Sequence, residues 1–235
     1  MPAAEFDRYA DDYHRMLVRS TGLFGDPPAF FHRYKIADTR RTVDRSGVAV
    51  RNILDFGCGI GSSIPYFREL FPAAGLVCAD TSSRSLEIAA QRFPGASAQL
   101  AVQPAAPLAL ADGRFDLCFS ACVFHHIDHA EHVAWLRELR RVTRPGGALV
   151  IFEHNPLNPL TRHVVHTCPL DVNARLVRAG TLARAVRAAG WRHVRVGYRL
   201  FFPGFLAALR PLEPLLAGLP LGAQYRLHAV NAEDG

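Results

Sequence analysis

Asp55 closes an apolar run, Ile53-Leu54-Asp55-Phe56, and glycines follow it at 57, 59 and 61. These residue types at this spacing suit a nucleotide-like cofactor. Missing side chains let backbone approach a ligand closely, and a helix starting just after them offers free N–H donors. Other chemistry-bearing residues follow later apolar runs: His125 and His126, then Glu153, His154 and Asn155. Histidine exchanges protons near neutral pH, so His154, and after it His126, are candidate general bases toward a hydroxyl, phenol or ammonium. Glu153 is a third catalytic candidate. A carboxylate is a weak base toward alcohols, however, so it is better suited to orienting a neighbour or a polar group of the substrate. The stretch from His125 to His132 carries four histidines and two carboxylates. It runs from a strand end into a helix start, which splays such ligands, and no cysteine pair or His-Glu-x-x-His pattern accompanies it. The reading is therefore no metal.

The elements that must position these groups can be read from hydrophobic period and punctuation. Strands are expected at 51–56, 75–80, 97–102, 115–120, 147–153 and 192–201, with a last one from Gln224 to Val230. Helices are expected at 62–70, 83–92, 129–143 and 174–189. Residues 5–45 read as helical around a break at 21–28. Open α/β sheets bind ligands beyond the carboxyl ends of their strands, which singles out Ser120 to His126 and Glu153 to Asn155. A dinucleotide fingerprint would need glycine at position 62, where this chain has Ser62, and no Gly-Lys-Ser/Thr follows for a phosphate-cradling P-loop. Asp80 closes the second strand about 20 residues beyond the glycine turn, placed to accept hydrogen bonds from a ribose diol. Asn155-Pro156-Leu157-Asn158-Pro159 reads as a rigid loop. With the segment from Cys168 to Asn173 it would form the lip of an acceptor pocket.

From about residue 50 to 154 the motifs keep one order: Asp55-Phe-Gly57-Cys58-Gly59, the acidic end at Asp80, Arg114-Phe-Asp-Leu117, Phe124-His-His-Ile127 and Arg144-Pro-Gly-Gly147. The series resembles small class I S-adenosylmethionine (SAM) methyltransferases. The resemblance implies an α/β, Rossmann-like, doubly wound sheet of seven strands in the order 3-2-1-4-5-7-6. Helices would cover both faces, with an N-terminal helical lid. It implies SAM as cofactor, held by Asp55, Gly57, Cys58, Gly59 and Gly61, with Asp80 and Thr81 at the ribose. Ser120 and Ala121 would line the sulfonium side. Gln103 stands where relatives place an aspartate at the adenine amino group. The acceptor would meet Tyr9, Tyr13 and Lys35 from the lid, with His125, Asn155 and Asp171. For the aromatics, packing on the core is the competing explanation, and for Asp171 it is helix capping.

At 235 residues and 49% hydrophobic content the chain can bury one α/β core. It divides into a cap (1–48), a cofactor core (49–154) and an acceptor-side segment (155–235) of one domain. Five cysteines, an odd count, fit reduced thiols in the cytoplasm, and the N-terminus lacks the apolar centre of a signal peptide. The net charge of +6 is spread along helices, so no nucleic-acid partner is expected. Residues 200–221 are apolar but hold Arg210, Glu213 and four prolines, which excludes a membrane span. They form either a crossover on the sheet or a surface element making at most peripheral membrane contact. The expected function is SAM-dependent O- or N-methylation of a small molecule, of hydrophobic natural-product or lipid-like type. The alternatives are a non-catalytic SAM-binding regulator and a nicotinamide-dependent oxidoreductase.

Overall fold

A computed structural model describes residues 7, 10, 12–22, 25–103 and 107–232 of the chain. Two helices, α1 (Tyr13–Thr21) and α2 (Pro28–Arg45), precede the sheet. Then come β1 (Asn52–Phe56), α3 (Ile64–Leu70), β2 (Gly75–Asp80), α4 (Ser83–Arg92), β3 (Ala98–Ala101) and β4 (Phe115–Ala121). The second half runs α5 (His132–Val142), β5 (Thr143–His154), α6 (Pro159–Thr167), α7 (Ala179–Ala188), β6 (Arg192–Arg199), α8 (Glu213–Leu216) and β7 (Gln224–Val230). The seven strands form one sheet in the order 3-2-1-4-5-7-6, as expected. Strands β1 to β5 pair in parallel, and β7 inserts antiparallel between β5 and β6.

Both faces of the central strands are covered, so they read as continuous apolar runs. Ile53 and Leu54 are adjacent in sequence yet serve different cores, because successive strand residues point to opposite faces. One core gathers Leu54, Phe56, Phe124, Leu136 and Trp191 under α5 and α7. The other gathers Ile36, Ile53, Ile64, Phe67 and Phe119 under α2 and α3. Helix α2 is also tied to the far edge of the sheet by charge. Asp38 accepts from Arg199 Nε at 2.8 Å and from Arg226 Nη1 at 3.0 Å. Burial would raise this carboxyl, but the two guanidinium groups outweigh burial and hold it below the usual carboxylate range.

Three expectations are corrected. The Arg144-Pro-Gly-Gly147 turn lies inside β5, which starts at Thr143, and α5 starts at His132. The register shift between Phe115 and Leu117 absorbs the extra residues as a bulge. A side chain at Gly147 would come within 2.6 Å of Thr143 Cγ2, so only glycine fits there. Asn231 Nδ2 donates to Arg140 O and Thr143 O, fastening the end of α5 and the start of β5 to the residue after β7. Helix α7 begins at Ala179, because residues 174–178 run without regular structure, and Arg175 N bonds His125 O at 2.7 Å. The Asn158-Pro159 pair starts a helix rather than continuing a loop: Asn158 Oδ1 accepts from Thr161 N at 2.9 Å, and proline occupies the first turn.

The 200–221 segment does not bury its apolar residues on the sheet. No residue of the 3₁₀ stretch Gly204–Leu212 is buried, and Phe205 and Leu215 are 76% and 83% exposed. The segment is pinned instead by buried Glu213, whose carboxylate accepts from Phe201 N, Phe202 N and the Tyr34 hydroxyl. No helix of the described residues is long and apolar enough to cross a membrane.

Replacing Asp38 by Asn should leave Arg199 and Arg226 without their shared counter-charge and destabilise the protein by about 3–5 kcal/mol. Urea denaturation measures this, and a loss below about 1 kcal/mol would show that the cluster does not hold α2.

Candidate functional site

The glycine turn is built by contacts that a side chain would break. Gly57 has φ +79°, and its N–H bonds Ala79 O at 2.7 Å. A Cβ there would fall 2.2 Å from Val123 Cγ2. At Gly61, φ +74°, it would strike Ile64 and Ala89, so this glycine lets α4 close on the turn. Asp80 ties the turn to β2, its carboxylate accepting from Gly59 N at 2.8 Å and Ser82 N at 2.9 Å. Burial still pushes this carboxyl up, against those backbone bonds.

The turn faces a cavity of about 340 Å³ at the carboxyl ends of β1, β2, β4 and β5, within the range of small-molecule sites. Asp55, Gly57, Cys58, Gly59, Asp80 and Thr81 line one part of it. Asp55 is 2% exposed, and its Oδ2 has no hydrogen-bond partner among the described residues. Burial, with Asp80 nearby, pushes the Asp55 carboxyl up to about 7, opposed by Lys35. A buried acceptor without a donor is costly. This one suits a ligand that brings a cation or N–H group.

The other part is lined by Lys35, Ala121, Cys122, His126, His154, Asp171 and Gln224. Lys35 Nζ donates to Cys122 Sγ at 3.5 Å, and Gln224 Nε2 lies 3.6 Å from the same sulfur. Cys122 takes φ +60° as the chain leaves β4, and it is hydrogen-bonded to His154. Burial would raise this thiol, but His154 and Lys35 outweigh burial and lower it to about 7. In return His154 is raised, the Cys122 sulfur outweighing the burial that would lower it.

Behind this wall lies a polar layer. Glu153 is fully buried, with Oε1 accepting from Val123 N at 2.9 Å and Phe124 N at 2.7 Å. His125 Nδ1 meets Glu153 Oε2 at 2.6 Å, and its Nε2 lies 3.3 Å from Asp171 Oδ1. Burial would lower His125, but these two carboxylates push it up to about 10. Burial also acts on Asp171, yet His125 and His126 hold it far below the carboxylate range.

Of the predicted site residues, Lys35, Asp55, Gly57, Cys58, Gly59, Asp80, Thr81, Ala121, His126, His154 and Asp171 converge on the cavity. Gly61 and Ser120 stand behind its lining, and Gln103 is exposed, with Val102 lining the cavity in its place. Glu153 and His125 are in the layer behind, where they position neighbours rather than line the cavity. Asn155 departs furthest from its expected part, since Nδ2 donates to Pro220 O and Gly222 O and clamps two loops together. Tyr9 and the Tyr13 side chain lie outside the described residues. Cys122 and Gln224 were missed. Cys122 reads as one more strand thiol, and Gln224 arrives only because β7 places it opposite His154.

The family described as "Methyltransferase domain" matches residues 54–151. Demethylmenaquinone methyltransferase of Thermobifida fusca is 36% identical over 88% of this chain and 92% of its own length. Trans-aconitate 2-methyltransferase of an Azoarcus species is 32% identical over 67% of this chain, which spans 62% of that relative. A SAM-dependent methyltransferase structure from Thermotoga maritima superposes with a TM-score of 0.67 at 19% identity, covering 98% of this chain and 100% of that one. The chain belongs to the class I SAM-dependent methyltransferases, whose cofactor is SAM.

The site fits that cofactor by its own features: the unpartnered Asp55 oxygen, and a turn where a side chain at Gly57 would clash. Asp55 also gives a pH-dependent prediction. An acid whose folded pKa is raised stabilises the fold below its unfolded pKa and loses that contribution as pH rises toward the folded value, here about 7. Asp55→Asn should therefore raise the melting temperature of ligand-free protein near pH ~8, with the gain shrinking as the pH falls below about 7. The same variant should bind SAM at least ~10-fold more weakly by calorimetry, reflecting loss of a charge-assisted contact. Unchanged affinity would remove Asp55 from the cofactor site.

Proposed function

We propose that this protein transfers the methyl group of SAM to a small hydrophobic acceptor carrying one ionisable hydroxyl or amine. The observation that carries the reading is that one cavity joins an unsatisfied carboxylate on a glycine turn to His126, His154 and Asp171. When bound, SAM supplies an electrophilic methyl on a sulfonium that departs as a neutral thioether. The chain's own residues then have three tasks. Asp55, Gly57, Cys58 and Gly59 hold the amino acid part and ribose, and Asp80 with Thr81 takes the ribose hydroxyls. Lys35, Gln224 and Asp171 orient the acceptor's polar group. His154, lining the cavity at the end of β5, receives the proton that the acceptor gives up as its lone pair forms the new bond.

The apolar character of the acceptor is supported by Leu17, Phe31, Ile127, Val164 and Leu170 in the lining. It also fits the quinone named in the Thermobifida relative. The exposed apolar segment around Phe205 and Leu215 supports it further. Gly25 lies against Gly204 and Phe205, and Arg210 stacks on Phe30 at 4.2 Å, so the segment abuts the start of α2, whose Pro28 and Phe31 line the cavity. A lipid-like acceptor could then be taken from a bilayer surface by a protein that remains peripheral. With all five cysteines unpaired, a reducing compartment such as the cytoplasm is the setting.

Methyl-labelled SAM, incubated with the protein and a panel of phenolic, quinol and amine acceptors, should label an apolar member. His154→Gln should lower kcat by about 10²–10⁴-fold while leaving SAM affinity within about twofold. An unchanged kcat would remove His154 as the base. Replacing Phe205, Leu212 and Leu215 together by Ser should abolish co-sedimentation with anionic vesicles without lowering SAM affinity. If the wild type stays in the supernatant, the bilayer reading fails and the cavity reading is untouched.

A further inference from the structure

His125, His126 and Asp171 each offer one ligand atom, and these atoms lie within 4.8 Å of one another. The two histidines come from a single 3₁₀ turn, Phe124–His126, and the aspartate ends another, Pro169–Asp171. A sequence reading confined to 125–132 finds only ligands that splay apart, whereas the fold brings Asp171 from 46 positions away.

The spacing of these atoms, with a carboxylate behind one of them, is what draws attention to this group. Glu153 Oε2 lies 2.6 Å from His125 Nδ1, so the other ring nitrogen, Nε2, is the atom turned toward Asp171. His125 Nε2 lies 3.3 Å from Asp171 Oδ1, and His126 Nε2 lies 3.4 Å from the same oxygen. Without an ion, N–H groups of the two rings meet Asp171, and a divalent ion would displace those protons on binding. Charge-assisted N–H···O contacts usually close to about 2.7–2.9 Å. Ligands about 2.0–2.2 Å from a tetrahedral ion stand about 3.4 Å apart, close to both separations seen here. A carboxylate on the far nitrogen of a ligating histidine is the usual support of such sites, fixing the tautomer and the ring orientation.

We propose that His125, His126 and Asp171 form a divalent-cation site, suited to Zn²⁺, with an open position on the acceptor side of the cavity. Three protein ligands with one position free is the arrangement of a catalytic rather than a structural zinc. His126 and Asp171 line the cavity, so a ligand entering there would reach the open position. The part this ion would play in methyl transfer, binding the acceptor's ionisable oxygen and easing its deprotonation, rests on the functional reading above. The site itself does not.

Chelator-stripped protein titrated with ZnCl₂ in a calorimeter should take up one equivalent, and CoCl₂ should give visible d–d bands. His126→Gln and Asp171→Ala should each weaken uptake by at least ~100-fold, and Glu153→Gln by about 10–100-fold. A His163→Gln, His166→Gln double variant, altered only on the exposed face of α6, should bind as the wild type does. S-adenosylhomocysteine binding, followed by thermal shift, reports whether each variant is folded. No saturable zinc uptake by wild-type protein that binds S-adenosylhomocysteine would overturn the proposal. So would uptake that survives in folded Asp171→Ala and His126→Gln proteins. Failure to bind S-adenosylhomocysteine would instead sink the functional reading, and the zinc titration would still decide this site.

Discussion

A single buried carboxylate sets the geometry of the acceptor side. Glu153 lies in β5 with no solvent exposure, and its oxygens are occupied by two backbone N–H groups and a histidine. Burial alone would protonate it, but His125 and the other donors outweigh burial and keep it ionised. A charge buried this deeply must be fully paired, so the segment after β4 has little freedom. Val123 and Phe124 must present their N–H groups, His125 must turn inward, and His126 is left at the cavity. Cys122, the link between β4 and this turn, accepts a left-handed backbone to make the connection, a strain of order 1–3 kcal/mol that surrounding contacts must offset.

The antiparallel insertion of β7 completes the wall from the other direction. It places Gln224 opposite His154 and Tyr225 opposite Glu153. The connection before β7 is fastened to the loop after β5, through Asn155 Nδ2 on Pro220 O and Gly222 O and Asn158 Nδ2 on Leu221 O. These bonds spare the mostly apolar 200–221 segment from packing on the sheet. It can present leucines outward because polar atoms at its ends, with Glu213 at its middle, secure it.

The cofactor side was legible in the sequence because its determinants are local. A glycine turn after an apolar run and an acid at the end of the next strand are fixed by the backbone within about thirty residues. Strand order followed from the family resemblance. The acceptor side was legible only as a set of positions after β4 and β5, without orientation. Glu153 and His154 are neighbours on one strand, so the pleat must send one behind the wall and the other into the cavity, and nothing in the residue types says which. Asp171 and Gln224 reach the site through contacts across 46 and 102 residues, with His125 and Cys122 respectively, beyond any periodicity argument. Helix α6 was hidden because Asn158-Pro159 serves a turn and a helix start equally well.

Lys35 joins the two sides electrostatically. Its ammonium opposes the rise of the Asp55 carboxyl and helps to lower the Cys122 thiol, so one cation is shared between a cofactor-side acid and an acceptor-side sulfur. A second cation arriving near Asp55 would relieve Lys35 of that part and leave it to Cys122 and the acceptor. Lys35 stands one helical turn before Asp38, on the same face of α2. Asp38 in turn is held by Arg199 and Arg226 from the sheet edge. Helix α2 is thus anchored by one ion-pair cluster while the preceding turn sets a cation in the cavity wall.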